Sequence, residues 1–447
     1  VTTLLQDLVD AQAERTPDAV AVHHGDERTT YAQLVRRANQ VARVLRDHGC
    51  RRDDRVCVVA PVTANAIAAM LGVLKADAIY VPLGASAPVT LMAGAIRECR
   101  PVCVLTAGPT AFAIDELVAA GVVGGDTLVG SLERSPIAGQ RFFTSFSMAD
   151  AMVMSDRAAA SRNRATNPAT IVFKPADPNR GVVATHAGLA RSASWARGYF
   201  DVRSGDRHAV TPELATDRVL LAVLAGCAGG ATLVPFHPEG AHPRRLADFL
   251  RREGVTVWHA TAEALAAAAA ADVVSPGDLP ALRHASWWTD GVSGTVVSYW
   301  TRRLGHTRFT SLYGAPEAST VSAHHVWREG APIPSGAPLG AVCPGQELVL
   351  LDGQLEPVAT DVVGDIWIRG LSLSPGYWSN ASATAEVFRA DTAGVGIHDR
   401  MWRTGDRGLR RSDGLLYLAG PEAEETWRGA APSPTTATRA LESGAGA

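Results

Sequence analysis

The chain has 447 residues, a formal net charge of −3, and 47% hydrophobic against 19% charged residues. That length and apolar share allow a large buried core, in two or three domains or one multi-lobed enzyme, and exclude wholesale disorder. A near-neutral balance argues against nucleic acid as the main partner, and the lack of a long apolar run or a basic, apolar leader points to a cytoplasmic protein that uses no membrane.

In chain order, residues 31–48 place Leu34, Ala38, Val41 and Leu45 on one stripe and read as an amphipathic helix. Residues 54–63 read as a buried strand and its turn, and 64–74 as a helix packed on that strand. Residues 79–83 and 102–106 read as further buried strands. The stretch 154–168 reads as an exposed connector. Alternation resumes at 218–236 and 255–270. This pattern predicts a layered, doubly wound α/β sheet covered by helices on both faces. After about residue 325 the segments shorten and are punctuated by Gly, Pro and Asp, which predicts a β-rich antiparallel lobe. The expected organisation is an α/β core over 1–325, a β-rich lobe over 326–427 and a linker or tail over 428–447.

Cysteines 50, 57, 99, 103, 227 and 343 contain no Cys-x-x-Cys pair and read as reduced core residues. The thirteen histidines show no ligand spacing, and His324-His325 reads as a loop pair. Lysine occurs only at Lys75 and Lys174, whereas 40 of the 42 basic residues are arginine.

Six segments then stand in order: Thr30-Tyr31-Ala32-Gln33-Leu34, residues 74–83 (LKADAIYVPL), residues 229–234 (GGATLV), Tyr313-Gly314-Ala315-Pro316-Glu317, residues 364–370 (GDIWIRG) leading to Pro375-Gly376-Tyr377, and Trp402-Arg403-Thr404-Gly405-Asp406. This series resembles the adenylation domains of nonribosomal peptide synthetases, in the adenylate-forming superfamily that also holds acyl-CoA ligases and luciferases. The resemblance runs over about residues 3–420. It implies the large N-terminal core of that fold, with a barrel-like β-rich lobe. The implied chemistry is attack of an amino acid carboxylate on the α-phosphate of ATP with Mg²⁺, then passage of the acyl group to a carrier protein's phosphopantetheine thiol. Implied partners are neighbouring synthetase domains, the carrier protein and a small accessory protein of the kind that binds some adenylation domains.

The resemblance assigns roles residue by residue. Asp406 would accept from the ribose hydroxyls; the plain alternative is a turn before the strand at Leu415. Tyr313 would stack on adenine, or be a core tyrosine. Glu317 would hold Mg²⁺, or be a solvated glutamate. Pro316 replaces the family threonine whose hydroxyl reaches the α-phosphate. Asp217 would meet the substrate ammonium, or be a helix N-cap. Arg218, Leu221, His259, Trp288, Asp290, Leu312, Thr320 and Val321 would line the pocket, and Arg218 is expected to turn inward onto Asp217 or Asp290.

The resemblance fails at two places. The family's Ser/Thr/Gly-rich phosphate loop is replaced by Lys174-Pro175-Ala176-Asp177-Pro178-Asn179-Arg180 before Gly181. Prolines remove N–H donors and Asp177 repels phosphate, so a compact turn is expected there in place of an anion cradle. Losing two or three charge-assisted hydrogen bonds would cost about 4–8 kcal/mol of transition-state binding. The family's catalytic lysine lies in a C-terminal subdomain, and no lysine follows Lys174; Pro421 and Ala423 stand where the family has its hinge Arg and Asp. Two expectations follow: a degenerate, inactive or impaired adenylation domain kept as a scaffold, or an active one whose lysine comes from elsewhere.

Overall fold

The computed structural model describes residues 3–419 apart from 138, 140, 175–176, 211–214, 237–241, 290, 331–335 and 392–399. Asp290, Pro175, the expected hinge at 420–424 and the expected tail at 428–447 lie outside the described residues. The chain forms two compact units, Val1–Pro235 with Ser374–Ala381, and Phe236–Leu373 with Ser382–Ala447. The boundary expected near residue 325 falls inside the strand Ala323–Trp327 of the second unit.

The first unit carries a seven-stranded sheet in the order Gly376–Tyr377, Asp177–Thr185, Pro168–Lys174, Ile79–Leu83, Arg55–Val59, Cys103–Thr106, Leu128–Ser131. Its last five strands are parallel and its first three antiparallel. Alternate residues of one strand enter different cores. Val56 and Val58 join one cluster, with the stripe Leu34, Ala38, Val41 and Leu45, while Cys57 and Val59 join another with Met92, Ile96 and Ile171. That is the two-sided burial expected of a doubly wound sheet.

The helix Tyr31–Asp47 begins at a capping box: the Thr30 hydroxyl accepts from the Gln33 N–H, and the Gln33 side chain accepts from the Thr30 N–H. The helix Ala64–Lys75 approaches it so closely that a Cβ on Gly72 would lie 2.7 Å from Val41 Cβ, which only glycine avoids. All six cysteines are buried and free.

In the second unit, strands Val257–His259, His284–Trp288 and Arg308–Tyr313 run parallel, and Ala323–Trp327 and Ala341–Val342 add antiparallel. His324 and His325 therefore sit in a strand, not a loop; the segment shows no alternation of buried and exposed residues, so its sequence carries little strand signal. An antiparallel sheet follows, ordered Gln346–Leu351, Gly364–Gly370, Arg400–Arg410, Phe388–Ala390, with Leu416–Ala419 also paired to Arg400–Arg410. Leu348, Ile366, Ile368, Trp402 and Leu416 form its core. Among the described residues this sheet is open, so the β-rich lobe is present without barrel closure.

Candidate functional site

The site is built in the second unit, at the carboxyl ends of three parallel strands, where open α/β sheets bind ligands. Register places His259 opposite Ser286 and Trp288 opposite Leu312, so His259, Trp288, Leu312 and Tyr313 cluster at that edge. His259 Nδ1 lies 2.8 Å from the Ser286 hydroxyl. Burial, then the neighbouring His284, pushes its pKa down to about 4, so its ring is neutral at pH 7. Leu312, Thr320 and Val321 are all buried, and Trp288 is half-buried.

Tyr313 closes its strand and leads into a tight turn. Gly314 has φ +154°, and a Cβ there would lie 2.0 Å from the Thr320 carbonyl oxygen, so the return of the chain requires glycine. The Ser322 N–H donates to the Tyr313 carbonyl at 2.7 Å, and the Thr320 N–H to that of Ala315 at 3.1 Å. Between them, Pro316–Ala318 forms one 3-10 turn, and Ser319 and Thr320 hold positive φ. The Ser319 hydroxyl pins this turn by donating to the Ser372 carbonyl at 2.6 Å. The turn points Glu317 inward: it is 1% exposed, which removes the solvated reading. Tyr313 is buried, and its hydroxyl donates to Asp406 Oδ2 at 2.8 Å.

Asp406 owes its position to a bulge, not to a turn before Leu415. Trp367 pairs with Arg403 and Asp365 with Arg407, so residues 404–406 stand opposite Ile366 alone. Gly405 takes φ +88° there. The Thr404 hydroxyl donates to the Ile366 carbonyl at 2.9 Å and accepts from the Asp406 N–H at 3.0 Å. Bulges re-aim side chains in this way, and the exposed Asp406 carboxylate is delivered to the Tyr313 hydroxyl. Thr404, Ser319 and Gln346, whose amide donates to the Val321 carbonyl at 2.9 Å, are supports that sequence reasoning passed over. Only Thr404 left a signal, inside the quoted Thr-Gly-Asp.

The remaining candidates belong to the first unit. Asp217 opens the helix Asp217–Gly229 and is buried, but the N-cap is Thr216, whose hydroxyl accepts from the Val219 N–H at 3.3 Å. Leu221 is buried in the same helix. Arg218 is exposed, which corrects the expectation of an inward guanidinium. Consecutive helical residues diverge by about 100°, so a helix that buries Asp217 turns Arg218 outward.

The phosphate-loop segment is a β-hairpin: Phe173 pairs with Gly181 and Lys174 with Asp177, across a register shift. Asp177 and Arg180 are joined by an ion pair at 3.0 Å. The Arg180 guanidinium also lies 5.8 Å from the Tyr377 ring centroid. Strand pairing turns backbone groups on either side of 175–176 toward each other.

Among the described residues no cluster of three or more His, Cys, Asp or Glu could hold a metal. A magnesium ion takes one or two carboxylates and completes its shell with substrate phosphates and water. Glu317, a single buried carboxylate, fits that lesser requirement.

Residues 9–378 match the family described as AMP-binding enzyme. A protein of Salinispora arenicola named as a probable non-canonical nonribosomal peptide synthetase, CymA, is 31% identical over 441 residues, covering 98% of this chain and 5% of that protein. The phosphinothricin tripeptide synthetase PhsB of Streptomyces viridochromogenes is 30% identical over 424 residues, covering 93% of this chain and 33% of that protein. The chain thus spans a third or less of the length of these two curated relatives. Among solved structures, the nonribosomal peptide synthetase FmoA3 superposes with a TM-score of 0.82 at 27% identity, over 94% of this chain and 43% of that one. An artificially fused Adenylation-PCP di-domain from Klebsiella oxytoca, NpsA-ThdA, gives 0.77 at 19% identity over 94% of this chain and 73% of that one, a likeness of fold alone.

Proposed function

The chain belongs to the AMP-binding enzyme family, and from that premise we propose that it is an adenylation-type domain of a nonribosomal peptide assembly line, impaired in amino acid activation and kept as a scaffold. Its place is the cytoplasm, between neighbouring synthetase domains and a phosphopantetheinyl carrier protein. No described helix is long and apolar enough to cross a membrane.

The observation that carries the reading is the hairpin at the phosphate loop. Lys174 stands opposite Asp177 in the backbone register, and the Asp177 carboxylate is ion-paired with Arg180 at 3.0 Å. A working cradle needs converging N–H groups and an uncompensated positive field around a polyphosphate. Here an acidic side chain stands in that field. The adenosine half of the site is better preserved. Tyr313 offers a ring face, and its hydroxyl sets the orientation of Asp406 for two ribose hydroxyls. Glu317 supplies one carboxylate to a magnesium ion, which when bound would screen the phosphate charge. The domain is therefore assigned weak binding of adenine nucleotides, dominated by the nucleoside, without efficient attack on the α-phosphate.

A second reading, an active domain, is favoured by one observation. Arg218 is exposed, whereas a blocked pocket calls for an inward guanidinium. Calorimetry with ATP·Mg²⁺ and with adenosine separates the two. The impaired domain binds both weakly and with Kd values within about tenfold of each other. A Kd for ATP·Mg²⁺ a hundredfold below that for adenosine would show a functioning phosphate cradle and favour the active reading.

A further inference from the structure

The hairpin has an outer edge, and the chain returns over a long sequence distance to cover it. Ser374–Ala381 belongs to the first unit although the residues on both sides of it belong to the second. Within it, Gly376 pairs with Val183 and Tyr377 with Val182. The buried Ser374 hydroxyl donates to the Val183 carbonyl at 2.6 Å, and the Trp378 N–H donates to the Gly181 carbonyl at 2.7 Å. This short strap therefore holds three consecutive residues of the hairpin, starting at Gly181.

The strap is itself held from below by Arg55, the first residue of the strand Arg55–Val59. Its guanidinium donates to the Cys99 and Arg100 carbonyls, both at 2.7 Å, where the helix Val89–Cys99 ends with Arg100 in a left-handed conformation. Those bonds satisfy orphan carbonyls of a helix C-terminus. The same guanidinium lies 5.5 Å from the Trp378 ring centroid, in range of a cation–π contact. Trp378 packs against the cluster that contains Cys99, Ile171 and Val183. A helix end, a strand start and the strap thus meet on one cation.

We propose that Arg55 and Trp378 form a clamp that positions the phosphate-loop hairpin, with Trp378 as its key positioning residue. The functional half of this claim rests on reading residues 174–181 as the phosphate segment of a nucleotide site; the mechanical half does not. Trp378 touches no nucleotide in this scheme. Its backbone N–H, which every variant at this position keeps, bonds the Gly181 carbonyl, and its ring acts on Arg55. Capping alone would make Arg55 a structural residue, but capping does not need an aromatic ring on the far face of the guanidinium.

The test uses the purified full chain and four variants: Trp378→Ala, Trp378→Phe, Arg55→Ala and Arg55→Lys. Hydrogen–deuterium exchange is read across 171–185, with the helix 31–47 as internal control. Trp378→Ala and Arg55→Ala should raise hairpin exchange about tenfold while the control is unchanged. Trp378→Phe should restore it to within about threefold, because a smaller ring face remains. Arg55→Lys should not, because an ammonium cannot cap two carbonyls and stack as a planar fork does. The second readout is affinity for ATP·Mg²⁺ against adenosine. Trp378→Ala should weaken ATP·Mg²⁺ about threefold or more and leave adenosine within twofold. Unchanged hairpin exchange in both alanine variants would overturn the clamp. So would an equal rise in the control helix, which would mean global destabilisation. If the native chain binds neither ligand, the nucleotide reading fails, while the exchange data still decide the clamp. If Trp378→Ala does not fold, the contrast between Trp378→Phe and Arg55→Lys decides it alone: equal protection in the two would refute the proposal.

Discussion

Replacing Tyr313 by phenylalanine isolates the contact on which the adenosine half of the site turns. The ring is buried and stays buried, so packing and any stacking face are retained. What is lost is one O–H···Oδ2 bond of 2.8 Å to Asp406. A hydrogen bond to a charged group is worth about 1.5–3 kcal/mol when sheltered. Asp406 is exposed, so water replaces the lost donor and the loss falls to about 1 kcal/mol. That corresponds to roughly a fivefold weaker Kd for adenosine. Asp406→Ala should weaken adenosine binding more, by roughly ten- to a hundredfold, and still leave it measurable. The double variant should then be no worse than Asp406→Ala alone, because the phenol acts only through the carboxylate. Isothermal calorimetry with adenosine reads all four proteins. Undiminished binding by Asp406→Ala would refute the ribose assignment. Additive losses in the double variant would refute the claim that Tyr313 works through Asp406.

Four further outcomes follow from the geometry. Gly314→Ala should destabilise the chain by about 3 kcal/mol or more in chemical denaturation, since its Cβ would meet the Thr320 carbonyl at 2.0 Å with φ at +154°. Lys75→Met should destabilise by about 1–2 kcal/mol, because the buried ammonium lies 2.7 and 2.5 Å from the two Asp10 oxygens and its loss leaves a partly exposed carboxylate, whose pKa burial already raises, to be solvated by water. Arg218→Ala should change stability by less than about 1 kcal/mol, since water screens whatever contacts an exposed guanidinium makes. Acidification should destabilise the fold between about pH 6.5 and 4. Burial pushes the pKa of His186 down to about 4 and that of His259 to about 4, so the unfolded chain binds those protons first and stability present above pH 6.5 is lost as pH falls. His186→Asn should flatten that slope in thermal melts, and an unaltered slope would assign it to other groups.

The elements with strong periodicity were legible because burial writes itself into composition. The stripe from Leu34 to Leu45 and the apolar runs at 55–59, 79–83 and 103–106 folded as read, each within a residue or two of its expected ends. Tertiary context decided the rest. His324 and His325 look like loop residues, yet pairing with Arg308–Tyr313 on one side and Ala341–Val342 on the other makes them part of a strand. Thr-Gly-Asp reads locally as a turn, and only pairing with Gly364–Gly370 makes it a bulge. At the site, residue types could be named from resemblance, but direction could not. Asp217 and Arg218 are neighbours in sequence, yet about 100° apart on a helix one is buried and the other exposed, and Glu317 turned from exposed candidate to buried carboxylate because of a glycine three positions earlier.

The central claim is impaired activation of amino acids by a domain whose phosphate segment is closed into a hairpin. Amino-acid-dependent exchange of pyrophosphate into ATP tests it most directly, run with each of the twenty amino acids and Mg²⁺ on the full chain. The account predicts exchange at background for every amino acid. Exchange well above background for any one of them, abolished by Asp406→Ala, would contradict it.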